Sequence, residues 1–259
     1  MDWELIRKKH YDNHLSEHYS ELFGGYWNNI DRNLRLFNES DIKPVSNSIA
    51  LDLGCGNGFQ SIPLSIIGFE VFSVDSDGKL LDEFKHKLYE TNSLGNKLKS
   101  EIHLISDDIF DYLDKAEIFP ELVVCMGDTV SHFESENRVL KMIEKSHDIL
   151  KPGGKLVLSF RDYTDDIEDK ERFIFLGGGK EIFFECFVEK EENGTRLKTY
   201  DIFHKWDEKC ERWVSSISHY YKTILNSESI DTFAVNLGME IDKSEKNRGM
   251  FYKIYKKIY

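Results

Sequence analysis

Length, composition and charge bound what this chain can be. It has 259 residues, of which 40% are hydrophobic and 31% charged. One large α/β domain with a sizeable core fits these values, whereas a disordered chain or a disulfide miniprotein does not. The formal net charge is −13. An acidic surface of that size repels phosphate backbones and argues against nucleic acid as a partner.

The sequence also bears on the compartment. No apolar run approaches the roughly 18–20 residues that cross a bilayer, and the N-terminal residues lack the uninterrupted apolar stretch of a secretion signal. The cysteines, Cys55, Cys125, Cys186 and Cys210, are widely spaced and form no CxxC pair. They are typical of reduced thiols and not of disulfides or a zinc site. We therefore expect a cytoplasmic protein without a metal or a membrane partner.

The first elements in chain order are helical and then alternate with strands. Apolar residues at helical spacing predict one or two helices within residues 3–38, interrupted near Gly24 and Gly25. The elements predicted next are strand 47–53, helix 58–67, strand 70–75, helix 77–91, strand 101–106, strand 121–127, helix 134–150 and strand 155–160. This alternation is typical of a parallel sheet with helices on both faces, whose carboxyl strand ends share the ligand-binding edge.

After residue 160 the pattern becomes antiparallel. Strands 181–192 and 195–206 flank Asn193-Gly194, a tight hairpin sequence, and a third strand covers 212–224. A helix over 227–237 and a closing hairpin return to the sheet. The predicted division is an N-terminal helical lid (1–40), a cofactor-binding Rossmann-like core (41–165), an antiparallel substrate-side insertion (166–225) and a C-terminal helix and hairpin completing the core (226–259).

The strongest chemical signal is the segment DLGCGNG, Asp52 to Gly58, between the first strand and the next helix. Its glycines at 54, 56 and 58 let the backbone turn tightly and approach a ligand. The dinucleotide fingerprint would need a small residue at Phe59, where a phenyl ring would block close helix packing. Asp52 also suits a ligand with a positive amino group better than a pyrophosphate. An oxidoreductase using NAD is therefore disfavoured.

Acidic residues follow the next two strands. Asp75 ends the second strand, where a carboxylate can accept both hydroxyls of a ribose. Ser106-Asp107-Asp108-Ile109 follows the third, where an acid can take the amino group of an adenine. Each acid alone would equally suit a helix cap or a solvated loop. Their order after successive strands is what favours a nucleoside site.

This constellation resembles the class I S-adenosylmethionine-dependent methyltransferases. The matching segments, within about residues 47–160, are LDLGCGNG, FSVDSD, SDDIFDY, VVCMGDTVSHF and ILKPGGKLVLSF. The likeness implies an α/β, Rossmann-like fold with a mostly parallel sheet, an antiparallel last strand and an added antiparallel β layer. It also implies S-adenosyl-L-methionine as cofactor and S-adenosyl-L-homocysteine as product.

The same likeness implies a set of cofactor-binding residues. They are Asp52, Gly54, Cys55, Gly56, Asp75, Ser76, Asp107, Asp108, Ile109, Met126, Gly127 and, on an aromatic-bearing N-terminal lid, Tyr11 and Tyr19. The methionine part would lie against the glycine-rich turn and the ribose on Asp75. The adenine amine would lie on Asp108, or in second preference Asp107, with Ile109 against its ring.

The acceptor side is expected after the fourth and fifth strands. GDTVSHF and SFRDY there are similar to the small-molecule N-methyltransferases that include the glycine and sarcosine enzymes. By that likeness, Arg161 would clamp a carboxylate in bidentate fashion, His132 would orient or deprotonate the acceptor, and Tyr163 would add a hydroxyl. Asp162 stands where those enzymes carry a neutral amide. The alternatives are a salt bridge from Arg161 to Asp162, Asp165 or Asp166, and a helix-start position for His132 near Glu134.

Two further groups of residues stand out. His10, His14 and His18 would share a helix face, and without an HExxH motif or paired acids a solvated face is expected instead of a metal site. The antiparallel strands are rich in aromatic residues, alternate members of which would line the pocket as a cage for a ring or a methylated amine. These residues are Phe183, Phe184, Phe187, Tyr200, Phe203, His204, Trp206, Trp213, His219 and Tyr220. Around Gly177–Gly179, a flap or tight turn is expected.

The function expected is methyl transfer, by in-line displacement, to an N or O atom of a small molecule such as an amine or amino acid. The cofactor carries the activation, so the protein has to align the reactants and exclude water. The alternatives are a non-catalytic S-adenosylmethionine-binding module and a protein or RNA methyltransferase. Either a monomer or an oligomer is compatible with the sequence.

Overall fold

The computed structural model describes residues 6, 10, 24–93, 98–165, 167–178 and 180–259. The helices are α1 (Tyr26–Glu39), α2 (Ser61–Ile67), α3 (Gly78–Ser93), α4 (Ile109–Lys115), α5 (Glu136–Ile149) and α6 (Ser227–Asn236). The strands are β1 (Ile49–Leu53), β2 (Glu70–Asp75), β3 (Ile102–Ser106), β4 (Leu122–Cys125), β5 (Lys155–Arg161), β6 (Phe173–Gly178), β7 (Ile182–Lys190), β8 (Arg196–Asp207), β9 (Arg212–Thr223), β10 (Met239–Asn247) and β11 (Met250–Lys257). Short 3₁₀ helices cover Thr129–His132 and Asp169–Arg172.

The main sheet has the strand order β10-β11-β5-β4-β1-β2-β3. Strands β1 to β5 are parallel, and β11 runs antiparallel between β5 and β10. The order reverses direction between β1 and β4, so a crevice opens at their carboxyl ends. The expected α/β, Rossmann-like fold with an antiparallel last strand is confirmed.

Apolar side chains alternate between the two faces of the buried strands, so the main sheet has a hydrophobic core on each face. Leu51 of β1 and Val139 of α5 lie in the cluster on one face, whereas Ala50 of β1 and Phe37 of α1 lie in the cluster on the other. A parallel sheet covered on both faces requires such apolar residues at successive positions. Within the described residues, no helix is both long and apolar enough to span a bilayer.

The added layer is an antiparallel sheet of order β6-β7-β8-β9. Its β7–β8 hairpin turns at Gly194, whose φ of +67° suits glycine. At the end of β9, the Thr223 hydroxyl donates a hydrogen bond of 2.5 Å to the carbonyl of Phe133. This bond joins the antiparallel layer to the loop that follows β4.

Strand β6 was not predicted from the sequence, which indicated a flap or turn near Gly177. The strand pairs with β7 through a register shift between Phe175 and Gly177. A Cβ at Gly178 would lie 2.5 Å from the Cβ of Phe183. The glycine therefore permits a close strand approach, which local sequence cannot distinguish from a turn signal.

Candidate functional site

The glycine-rich turn between β1 and α2 forms a cradle with backbone φ values that only glycine adopts readily. Gly54, Gly56 and Gly58 have φ of +73°, +52° and +91°. A Cβ at Gly58 would lie 2.2 Å from the Phe84 ring. Gly58 thus allows α3 to pack closely on the turn, which is the role that the third glycine has in the dinucleotide fingerprint. Phe59 instead lies buried with its ring centroid 5.4 Å from that of Tyr26.

Helix α1 supports this cradle from outside. The Tyr26 hydroxyl donates to the carbonyl of Asn57 at 2.8 Å, and the Asn33 amide donates to the carbonyl of Phe59 at 3.0 Å. Burial, reinforced by the negative charge of Glu83, raises the pKa of Tyr26, so the phenol stays a neutral donor. The two bonds fix the backbone of the turn.

Asp52 lies beneath the turn, at 1% exposure. The Ser61 hydroxyl donates to its Oδ2 at 2.5 Å, and the Ser73 hydroxyl donates to Ser61 at 2.8 Å. Its Oδ1 is buried with no hydrogen-bond partner among the described residues. Burial raises the pKa of Asp52 to about 7 against the opposing hydrogen bond from Ser61. A buried carboxylate oxygen of this kind suits a positively charged ligand group.

Asp52→Asn is expected to alter stability in a pH-dependent way. The folded-state pKa of about 7 exceeds the ordinary value of 3.8, so protonation favours the folded state. That contribution is complete below the unfolded pKa and is lost as the pH rises through about 7. The asparagine variant does not ionise, so its stability relative to wild type should increase between about pH 5 and pH 8. Urea denaturation at both values measures this, and a pH-independent difference would contradict a raised pKa.

Asp75 stands at the end of β2, beside the cradle. Its Oδ2 accepts a hydrogen bond of 2.8 Å from the backbone N–H of Gly56, and its Oδ1 accepts one of 2.8 Å from the N–H of Asp77. Ser76 next to it is exposed. These two backbone bonds orient the Asp75 carboxylate beside the glycine-rich turn.

Both acids after β3 have partners within the protein. Asp108 caps α4, with its Oδ1 accepting from the N–H of Phe110 at 2.7 Å. The Asp107 N–H donates to the carbonyl of Asp75 at 3.1 Å, and its carboxylate pairs with Lys115 at 2.5 Å. Ile109 is buried in the core. The structure therefore places the β2 and β3 loops side by side, as a ribose and an adenine require.

The loop after β4 meets the cradle. Gly127 has a φ of +76°, and its N–H donates to the Ser159 hydroxyl at 2.9 Å. Met126 and Cys55 are buried, and burial raises the pKa of the Cys55 thiol well above its ordinary value. Cys55 is therefore a packing residue and not a nucleophile. A Cβ at Gly54 would lie 2.4 Å from the Thr129 side chain, so the two loops touch.

A buried ion pair between Asp128 and Lys222 dominates the acceptor side. Lys222 Nζ lies 2.5 Å from Asp128 Oδ2. Asp128 Oδ1 accepts from the Ser131 hydroxyl at 2.6 Å and from the backbone N–H of Arg161 at 2.9 Å. Burial alone would raise the pKa of Asp128, but the Lys222 ammonium and these hydrogen bonds hold it below its ordinary value. Asp128 also has a φ of +73°, a strained backbone typical of functional loops.

Sequence reasoning missed both members of this pair as site residues. Asp128 lies inside the GDTVSHF segment, and Lys222 lies 94 residues further on. A signal was present in the alternation of β9, where Lys222 takes the same face as buried Tyr220. A lysine at an inward position requires a buried partner.

The three predicted acceptor-side residues lie around the ion pair. The Tyr163 hydroxyl is 3.5 Å from Lys222 Nζ, and burial raises the pKa of this phenol. The His132 ring stacks on Tyr220 at 5.3 Å between centroids. Arg161 ends β5 and is exposed.

Two of the three acids considered as alternative partners of Arg161 have another cation beside them, and the third, Asp166, lies outside the described residues. Lys246 Nζ lies 2.6 Å from an oxygen of Asp162 and 3.9 Å from one of Asp165. For Asp162 and Asp165, the neighbouring cation is therefore Lys246.

Residues 50–154 match a family model described as a methyltransferase domain. The matched segment is less than half of the 259 residues and contains the glycine-rich turn, Asp75 and Asp128. A glycine/sarcosine N-methyltransferase from Parasynechococcus marenigrum is 27% identical over 161 residues, covering 60% of this chain and 55% of that one. A glycine N-methyltransferase from Mus musculus is 32% identical over 123 residues, 44% and 40% of the two chains. The chain thus spans less than two thirds of these relatives' length.

A solved structure shares the fold of this chain over most of its length. It is an amino pentose methyltransferase from Micromonospora echinaspora with a TM-score of 0.70, 16% identity, and coverage of 93% of this chain and 95% of that one. At 16% identity, this structural likeness establishes the fold alone.

The position of His10 corrects one expectation from the sequence. It was placed on a solvated helix face, yet it is buried at 1% exposure. Its Nε2 lies 2.9 Å from Asp201 Oδ2, its Nδ1 lies 2.9 Å from Ser218 Oγ, and its ring is 4.4 Å from that of Tyr220. The buried Asp201 carboxylate on β8 requires such a partner.

Tyr11, Tyr19, His14 and His18 lie outside the described residues. The described part of the chain holds no cluster of three or more histidines, cysteines or acids arranged for a metal.

The aromatic residues of the added layer divide between its two faces. Phe184, Phe203 and Tyr220 are buried on the face toward the ion pair. Strand register places the other seven on the opposite face: Phe183, Phe187, Tyr200, His204, Trp206, Trp213 and His219. The expected aromatic cage is therefore reduced to a few side chains, because most of these rings point away from the acceptor side.

Proposed function

We propose that this chain transfers the methyl group of S-adenosylmethionine to a nitrogen or oxygen atom of a small molecule, such as an amine or an amino acid. One observation carries the proposal. The glycine cradle and Asp75 share a sheet edge with the buried Asp128–Lys222 pair, since Gly54 contacts Thr129 directly. A nucleoside site and a charged acceptor site therefore meet.

The residues of the cradle fit the cofactor. The glycine turn leaves room for backbone approach, and the buried Oδ1 of Asp52 suits the ammonium of the methionine part. Asp75 would hold the ribose, and Asp107 or Asp108 the adenine amine. When bound, the cofactor supplies an activated methyl group and its own leaving group. The protein's task is to orient the acceptor and exclude water.

The acceptor side favours a ligand with a negative group. The Lys222 ammonium pairs with the Asp128 carboxylate, and the backbone N–H of Arg161 donates to the same carboxylate, so the Arg161 side chain begins beside the pair. Arg161 would bind a carboxylate in bidentate fashion. His132 would accept a proton from the acceptor amine or would orient that amine. The Tyr163 hydroxyl would donate a hydrogen bond to the acceptor. The relative from Parasynechococcus marenigrum is a glycine/sarcosine N-methyltransferase, and glycine and sarcosine each carry a carboxylate and an amine, in agreement with such an acceptor.

Arg161→Ala is expected to raise the KM for a carboxylate-bearing acceptor by about tenfold or more while leaving cofactor binding intact, because a charged hydrogen-bond pair is lost. Lysine at this position should restore only part of the loss, since it cannot bind in bidentate fashion. Lys246→Ala is the matched control, because it removes a nearby exposed cation bound to Asp162. Equal kinetics for Arg161→Ala and wild type would contradict the clamp.

The proposal as a whole is tested by turnover. The purified chain is incubated with S-adenosylmethionine and single amines, amino acids or phenols, and release of S-adenosylhomocysteine is measured. Acceptor-dependent release is the expected result. Tight cofactor binding with no turnover on any of these classes would favour the non-catalytic binding module instead.

A further inference from the structure

The outer face of the added β layer, defined by the outward residues of β6 to β9, is an apolar surface that the proposed function does not use. Phe173 is 62% exposed, Phe175 68%, Trp213 44% and Ile217 60%. Isolated exposed apolar residues are ordinary, but a contiguous patch marks an interaction site. The strand register puts these four on the same face as Phe187 and Ile202.

The rings of this outer face form continuous rows. One row crosses all four strands, from Phe173 to Phe187 at 4.9 Å between centroids, on to Tyr200 at 5.7 Å and to His219 at 5.8 Å. A second row joins Trp206, Trp213 and Phe183 at 5.7 and 5.1 Å. Aromatic side chains in such density dominate the energetics of interfaces.

The charges on the outer face nearly cancel. The Lys198 ammonium offsets part of the negative charge of Glu185 and Glu189. His204 Nε2 lies 3.0 Å from Glu185 Oε1. Lys198 lies over the Tyr200 ring at 4.7 Å. The whole chain carries −13, so two copies repel each other over most of their surface. The outer face is a surface where this repulsion is small.

We propose that a second copy of this chain packs on the outer face, so that the protein is a twofold-symmetric dimer with two β layers face to face. Four strands about 5 Å apart and about 30 Å long give a footprint near 600 Å². Because side chains project from the sheet, the accessible area of the outer face is larger than this flat footprint. It therefore approaches the area of about 800 Å² that each partner buries in a standard interface. The identical faces are self-complementary, since each presents aromatic rows and balanced charges.

Sedimentation velocity of the full chain, over concentrations from about 1 to 100 µM, tests this proposal. Wild type is expected to be a dimer, and Phe175→Lys and Ile217→Lys, on opposite edge strands, are each expected to weaken it at least tenfold. Val235→Lys is the matched control, because Val235 is 50% exposed on α6, away from this face. It should dimerise like wild type.

A second measurement covers the case in which the lysine variants fail to fold. Hydrogen exchange of wild type should slow in 173–178 and 212–219 as concentration rises, because dimerisation covers both edge strands. A wild-type chain that stays monomeric throughout, or an outer-face variant that dimerises as tightly as the Val235 variant, would overturn the proposal. Association of wild type without concentration-dependent protection of these strands would overturn it too.

Discussion

Lys222→Ala is expected to lower the free energy of unfolding by about 3–5 kcal/mol, since the buried Asp128 carboxylate would lose its counter-charge. The Lys222 side chain is 11% exposed and that of Asp128 is 5%. Lys246→Ala is the control, because the Lys246 side chain is 42% exposed and its ion pair should contribute less than about 1 kcal/mol. Urea denaturation of both variants measures the difference.

A double variant separates the charge effect from loss of packing. Lys222→Met combined with Asp128→Asn removes both charges and retains most of the volume. It should recover a large part of the lost stability, because neutral replacements of a buried pair are often well tolerated. If Lys222→Ala were no more destabilising than Lys246→Ala, the pair would not be buried as described.

Gly58→Ala is expected to destabilise the fold by about 3 kcal/mol or more, from backbone strain together with overpacking. The position has a φ of +91°, and an added Cβ would lie 2.2 Å from the fully buried Phe84 ring. Gly153→Ala is the matched control, since Gly153 has a φ of +76° and open space around it. That change should cost about 1 kcal/mol, the strain alone.

Thermal and urea unfolding of the two alanine variants distinguish these contributions. The excess loss at position 58 measures the contact between the cradle and α3. Equal losses at the two glycines would mean that the ring of Phe84 moves aside at little cost, and the cradle would then be less rigid than a preformed binding site requires.

The main sheet could be predicted from sequence because its signals are local. The apolar run at 49–53, the glycine-rich turn after it and the strand 70–75 each carry their pattern within a few residues. Parallel strands joined by helices then place the acids after β2 and β3 at one edge. The positions of Asp75 and Asp107 follow from that topology.

The acceptor side could not be predicted in the same way, because distant segments assemble it. Asp128 and Lys222 lie 94 residues apart in the chain, and His10 joins Asp201 across more than half of the chain's length. Local patterns do not specify such pairs. Strand β6 was missed because Gly177 and Gly178 carry a turn signal, although Gly178 permits close packing against Phe183.

The division of the added layer into two faces has a functional consequence. Its inner face supplies Lys222 and Tyr220 to the acceptor side, and its outer face carries the aromatic rows. A substitution at Ile217 and one at Lys222 therefore affect different properties, although both lie on β9. The first should change association, and the second should change stability and acceptor recognition.

Calorimetric titration of S-adenosylhomocysteine into wild type and Asp75→Ala, with NAD as control ligand, tests the central claim most directly. The wild-type chain should bind the adenosyl ligand with micromolar affinity and not bind NAD. Asp75→Ala should bind it at least tenfold more weakly, because the ribose hydroxyls would lose their acceptor. Absence of adenosyl binding by wild type, or unchanged affinity in the variant, would contradict a cofactor site built from the glycine cradle and Asp75.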